Sequence, residues 1–332
     1  MKLQAKILMV LVAQCLALGV SAQTADDAVV ALNTDRITYS YQGGQYYENL
    51  WKNDEIYRSR PLSAGTPLVI DWEIPQNGAI FAQGVTLTSG WYDVNKKEDG
   101  RTGNDAVMCW AAVCANMLEW WQDRYVEKYG ALPSNAVSGA GKEYELALFE
   151  LYQRDWKNDH GSEVYYGIPW YLTGEDRTAN AMYVAKPIRE GGYFAAEWAQ
   201  LGIPDQYVYE VSGYSTWDDG WGVDTSRDAI DIFTEYVVDA INRGMASLSI
   251  RVGYSNMHAI TLWGYELDEK GRVKTIYVTD SDDLISKPKE PRVQLMQKYA
   301  VEVRNGREVG IVGAYDGFNM ISQIVPFHGN LK

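Results

Sequence analysis

Cysteine and histidine are both scarce in this chain, with three of each among 332 residues. They are widely scattered, so no zinc-ligand spacing is present and no metal is expected. Basic residues are also short: 30 Lys and Arg stand against 44 Asp and Glu, a formal net charge of −14. A surface that acidic repels phosphate backbones, which removes nucleic acid as an expected partner. There is no G-x-x-x-x-G-K-[ST] phosphate loop, and Gly191-Gly192 and Gly220-Trp221-Gly222 read as turns. Beyond the first twenty or so residues no apolar run is long enough to span a bilayer. No internal repeat is visible. Apolar residues make up 46% and aromatic residues 13% of the chain. That is ample for a buried core, in one large domain or two modest ones.

The chain opens as a secretory signal peptide. Lys2 and Lys6 precede an apolar stretch from Ile7 to Val20, too short for a permanent span, and Val20-Ser21-Ala22 supplies small residues for cleavage. Residues 1–22 are therefore expected to be removed and the rest secreted. Cys15 is not expected to be lipidated, because Gln14 precedes it where a small residue is required.

Cleavage leaves Cys109 and Cys114. In an exported protein such a pair first suggests a disulfide. Here the surrounding stretch to Tyr129 reads as a helix. Five residues along a helix give a rise of about 7.5 Å and side chains roughly 140° apart, beyond what a disulfide bridges. Both thiols are expected to be free.

Short alternating runs from Thr24 to about Gly90 read as strands and loops. Helices are expected from Cys109, over Glu143–Trp156, and from Arg227 to Arg243 with Ser226 as N-cap and Gly244 as C-cap. The segment from Asn158 to Gly222 reads as irregular and rich in Tyr, Trp and Gly; its aromatic residues are first of all packing residues. Strands follow at Ala246–Val252, Ala259–Glu266, Val273–Thr279, Tyr299–Arg304 and Glu308–Ala314, with turns at Asp268–Gly271 and Asn305-Gly306. Helices first and an antiparallel sheet second make an α+β fold, a helical lobe against a sheet lobe.

Cys109 opens its helix, where unpaired N–H groups stabilise a thiolate and offer a donor to a developing oxyanion. The competing reading is a buried core thiol. A general base near neutral pH is most often histidine. His160 lies in a charged run and His328 is near the chain end, whereas His258 begins a strand. It stands 149 residues after Cys109 (258 − 109), within the roughly 130–150 of papain-like proteases. An imidazole so used needs an orienting acceptor. If two strands pair through Asp268–Gly271, Asp280 or Asp282 returns beside His258, and strand alternation lets these two share a face while Asp283 points away. A solvated acidic loop or a calcium turn would explain the same aspartates, although the EF-hand glycine is missing.

Several longer words carry a family resemblance. Gly90-Trp91-Tyr92-Asp93-Val94-Asn95-Lys96, then Cys109 with Asn116-Met117-Leu118-Glu119-Trp120-Trp121, then His258-Ala259-Ile260-Thr261-Leu262-Trp263-Gly264 and Ile276-Tyr277-Val278-Thr279-Asp280-Ser281-Asp282, resemble the immunoglobulin-degrading cysteine endopeptidases of the IdeS/Mac type. The resemblance implies a papain-like domain over 23–332, with a helical lobe mainly over 90–243 and a sheet lobe over 244–332 joined by N-terminal strands. It implies Cys109 as nucleophile, His258 as base, Asp280 as its orienting aspartate and Asp282 as a supporting one. Lys96 takes the place of an oxyanion-hole lysine, with Lys97 as the alternative, since Gly103 stands where papain carries its oxyanion glutamine. A protein substrate, with immunoglobulin G as candidate, and no cofactor are implied. A transglutaminase-like or amidase enzyme would use the same trio, and a non-catalytic secreted binder could keep the frame.

Overall fold

Helices dominate the chain from Cys109 to Arg243 and strands dominate it from Met245 onward. The structure, a computed structural model, describes residues 36–42, 45–52, 55–61, 67–70, 78–96, 105–138, 146–156, 161–175, 191–196, 209–210, 227–253, 256–282, 294–315 and 317–327. The signal segment, His160, His328, Lys97, Gly103, Ser226 and Asp283 lie outside them.

The chain divides into two compact units. The first holds β1 (Arg36–Gln42), β2 (Gln45–Lys52) and β3 (Glu55–Pro61), joined in the order β1-β2-β3.

The second unit holds the site. Its first helix, α1 (Cys109–Tyr129), is buried at every residue from Trp110 to Gln122. A helix apolar on all sides belongs inside a core rather than on a surface. It stops at Gly130, whose φ of 87° suits a left-handed cap without a Cβ. Against α1 pack α2 (Ala147–Asp155) and α3 (Val164–Thr173). The last of these was not expected, because Gly167 and Pro169 lie inside it. Proline removes one helical hydrogen bond, but burial of Ile168, Trp170, Tyr171 and Leu172 outweighs that loss. The aromatic middle is thus core where it is described: Trp156 and Trp170 meet edge-on at 5.6 Å. The fourth helix, α4 (Ala229–Arg243), starts at Asp228 as N-cap residue rather than at Ser226. It buries Ile232, Phe233, Val237, Ala240 and Ile241 on one stripe, the amphipathic pattern of a helix lying on a sheet.

Among the described residues that sheet has nine strands. The main run is β11 (Glu308–Val312), β10 (Gln294–Arg304), β9 (Val273–Thr279), β8 (Asn256–Leu267), β7 (Met245–Val252), β12 (Phe318–Phe327) and the two-residue β6 (Tyr209–Glu210). Pairing of β11 with β12 closes six of these strands into a ring. Two earlier strands join: β5 (Ala79–Phe81) pairs antiparallel with β8, and β4 (Pro67–Ile70) pairs parallel with β10. The α+β class with a mainly antiparallel sheet is therefore what the chain adopts. β12 was missing from the sequence reading, because its burial on both faces leaves no period-two alternation to read.

One residue ties helix to sheet. Asn116, buried on α1, accepts from the Val94 N–H at 3.0 Å and donates to Thr261 Oγ1 on β8 at 3.0 Å. Its amide also reaches Thr279 Oγ1 on β9 at 3.5 Å. Thr279 in turn donates to the Tyr92 carbonyl at 2.9 Å, so residues 91–96 are pinned as a strap between α1 and the sheet. Asn116→Ala strands the buried Val94 N–H and removes the amide donor from the buried Thr261 hydroxyl, at about 1–3 kcal/mol for each group left without a partner. We expect it to lose about 2–4 kcal/mol of unfolding free energy, against less than about 1.5 kcal/mol for the volume-conserving Met117→Leu. Urea unfolding of the two variants checks this, and equal losses would contradict it.

Candidate active site

Cys109 is the first residue of α1 and is half-buried. Met108 caps the helix without a side-chain bond, and the first helical bonds run from Ala111 and Ala112 to the Met108 carbonyl. The Cys109 and Trp110 N–H groups thus belong to the open, electropositive helix end. Both Cys109 and Cys114 are free. Cys114 faces the helical core, where its thiol donates to the Val164 carbonyl at 3.6 Å and burial pushes its pKa up. The two thiols differ by environment alone.

His258 lies near the start of β8, opposite Ile250 of β7. Its Nε2 meets Asp280 Oδ1 at 2.7 Å, and both side chains are buried. Nδ1 is then the nitrogen left to face Cys109, and the neighbouring imidazole is the largest influence that lowers the thiol. Nδ1 also lies 3.9 Å from Asp282 Oδ2. Burial pushes the Cys109 thiol up, but the neighbouring His258 and the Lys96 ammonium outweigh it and hold the thiol below 9.0. Burial likewise opposes an imidazolium, yet Asp280 and Cys109 raise His258 well above its ordinary value. Asp280 is kept ionised against its burial by His258, the Tyr315 hydroxyl and the Asp282 N–H. The balance favours thiolate beside imidazolium.

The hairpin argument for the aspartates holds in part. β8 and β9 pair through the turn at 268–271, and Thr261 lies opposite Thr279. Strand alternation does not apply, however, because β9 ends at Thr279 and residues 281–282 form a turn. Within that turn the Asp282 N–H donates to Asp280 Oδ1 at 2.9 Å. Asp282 points its Oδ1 at Lys96 Nζ, 2.8 Å away.

Lys96 ends the strap, 7% exposed. Its N–H bonds the Ser281 carbonyl at 2.9 Å, and its ammonium donates to the Ala106 carbonyl at 2.9 Å, three residues before Cys109. An ammonium has three protons, so one remains beyond these two partners among the described residues. Among the described residues, the group that could hold a metal is His258, Asp280 and Asp282, whose ligand atoms lie within 4.8 Å of one another. The Lys96 ammonium on Asp282 and the Asp280 bond on His258 compete with any such cation.

Sequence reasoning missed Tyr315. It sits between β11 and β12 and donates to Asp280 Oδ2 at 2.5 Å. Nothing local distinguishes it among 24 tyrosines, and only closure of the ring of strands brings it here. Asp93 was also passed over. It is fully buried, accepts from the Leu295 N–H at 2.8 Å and the Asn95 amide at 3.1 Å through Oδ2, and has no partner at Oδ1 among the described residues. Burial pushes it up to about 8.

An α+β frame with a thiol at a helix start, an imidazole on the facing strand and a carboxylate behind it defines a class of protein equipped for nucleophilic acyl transfer. The model of the family described as Mac 1 matches residues 78–168 and 229–304, which include Lys96, Cys109, His258, Asp280 and Asp282. This chain belongs to that family. It is also 30% identical over 212 residues to the IgM protease of Streptococcus suis (strain P1/7), a match covering 58% of this chain and 18% of that protein. The chain thus spans less than a fifth of that relative's length.

Because Asp93 holds a proton in the folded state that an unfolded chain releases above 3.8, stability is expected to fall as pH rises from there to about 8. Asp93→Asn copies the protonated acid, with the amide nitrogen in place of the protonated Oδ1. Its unfolding midpoint, compared with wild type by thermal scans across that window, should lack this component of the decline. Parallel curves would contradict the assignment.

Proposed function

We propose that this chain is a secreted, papain-like cysteine endopeptidase that cleaves immunoglobulins. The observation that carries the reading is the proximity of Cys109, at the mouth of α1, to an imidazole that a buried aspartate holds from behind. A helical layer that supplies the thiol and a mainly antiparallel sheet that supplies the imidazole support the papain-like comparison. Family membership and the relative's name support immunoglobulin as the substrate class. The apolar segment before Ala22 supports export, and no helix among the described residues is long and apolar enough to cross a membrane.

In the proposed reaction the Cys109 thiolate attacks a peptide carbonyl carbon and a C–S bond forms. The developing oxyanion takes the Cys109 N–H and the third proton of Lys96. His258 gives its Nδ1 proton to the leaving nitrogen, and the C–N bond breaks. A water molecule, deprotonated by the now neutral His258, attacks the thioester, the C–S bond breaks, and the acid leaves. Asp280 holds the ring with Nε2–H directed away from sulfur throughout. Asp282 neutralises and positions Lys96. No cofactor takes part.

The test is incubation of the mature chain with IgM, IgG, IgA and unrelated proteins, with mass spectrometry of the products. New termini in an immunoglobulin chain are expected. Isopeptide products with added amine would point instead to a transglutaminase, and intact substrates throughout would sink the protease reading. Cys109→Ala should abolish cleavage while leaving the fold intact. Lys96→Ala should lower kcat roughly 10²-fold, as loss of one oxyanion donor does; an unchanged rate would remove Lys96 from that role.

A further inference from the structure

Both oxygens of the Asp280 carboxylate are bonded. Oδ1 accepts from His258 Nε2 and from the Asp282 N–H, and Oδ2 accepts from the Tyr315 hydroxyl at 2.5 Å. The same tyrosine sets its ring edge-on to the imidazole, with centroids 5.5 Å apart and planes at 76°. One side chain therefore touches both members of the pair from a third direction, and it does so from a built loop. Gly313 and Gly317 flank the segment with φ of 89° and 91°, and the Gly313 N–H closes it on the Gly317 carbonyl at 2.9 Å. The Tyr315 N–H bonds Asn319 Oδ1 at 3.1 Å, and buried Asn319 donates to the Arg251 carbonyl on β7 at 3.1 Å. Arg251 neighbours Ile250, the strand partner of His258, so the loop is braced on the strand beside the imidazole.

We infer that Tyr315 is a positioning residue of the site, one that fixes the Asp280 carboxylate in plane and shields one edge of the His258 ring from water. This rests on the catalytic reading above. The hydroxyl withdraws charge from Asp280, so it sets how strongly Asp280 holds the imidazolium. The ring limits how far the imidazole can swing between sulfur and leaving nitrogen. Tyr315 is itself 40% exposed. The groups that face His258 are Cys109 from α1, Asp280 and Asp282 from the turn after β9, and Tyr315 from this loop. Lys96 on the strap acts through Asp282 and Cys109, and Asp93 through Asp280.

The test uses iodoacetate, which reports on the thiol without any protein substrate. Its reaction with Cys109 rises with pH as the thiolate forms and falls as His258 loses the positive charge that attracts the anionic reagent. Wild type, Tyr315→Phe and a Cys109→Ala control are compared across pH. In Tyr315→Phe the less neutralised Asp280 grips the imidazolium harder, so the alkaline limb moves to higher pH. Where an immunoglobulin is cleaved, kcat should also drop roughly tenfold, the scale of one hydrogen bond to a charged group, with KM unchanged. An unmoved limb would overturn the inference, even if thermal stability or kcat fell, because that would make Tyr315 merely structural. A wild-type Cys109 with no enhanced reactivity below the ordinary thiol range would instead overturn the catalytic reading itself, and this role with it.

Discussion

The site depends on a register between one helix and one strand, and Asn116 sets it. Cys109 and Asn116 are seven residues apart on α1, about two turns, so they share a face at a rise of about 10.5 Å. His258 and Thr261 are three residues apart on β8, about 10 Å. Because the Asn116 amide is bonded to Thr261 on β8 and also reaches Thr279 on β9, it ties the helix that carries Cys109 to the strands that lead to His258 and Asp280. Thr279 immediately precedes Asp280, so the same amide fixes the carboxylate as well. A buried amide is suited to this task. Its hydrogen bonds are directional and costly to leave unmade, whereas apolar contacts alone would tolerate a slide of a turn.

On that register the electrostatics build outward in alternating sign. Thiolate, imidazolium and the Asp280 carboxylate form one series, and Lys96 with Asp282 forms a second beside it. Burial raises the cost of any unpaired charge here. Each group therefore keeps its ionisation only while its neighbour does. The strap at 91–96 belongs to this machinery although it holds neither nucleophile nor base. It delivers Lys96 and is held by Asn116 at Val94, by Thr279 at Tyr92 and by β10 at Asp93. The acidity of the chain as a whole, −14, says nothing about this pocket, where the charges are paired.

The shared family words fall on these supporting elements as much as on the reacting groups. Asn116, Tyr92 and Asp93 all lie inside them and are all structural partners of the site. Residues 169–228 fall outside the family match, although Trp170, Tyr171, Leu172 and Phe194 there are core residues. A packing role and a selective surface can coexist in such a stretch, since the same aromatic side chains can fill a core and border a recognition face.

Local physics made much of this legible in the sequence alone. The long apolar stretch from Cys109 needs a helix, and its first residue inherits the helix end. The turn at Asp268–Gly271 needs a hairpin, and Asp280 then returns beside His258. The five-residue spacing forbids a disulfide between Cys109 and Cys114. Other features came only with tertiary structure. The α3 helix forms despite Gly167 and Pro169 because burial outweighs propensity. β12 has no alternation because both of its faces are covered. Tyr315 reaches Asp280 only once β11 pairs with β12. Bonds along one element follow from residue spacing, which a sequence displays directly. Contacts between elements follow from which buried faces meet and in what register, and that is decided only when the whole core packs at once.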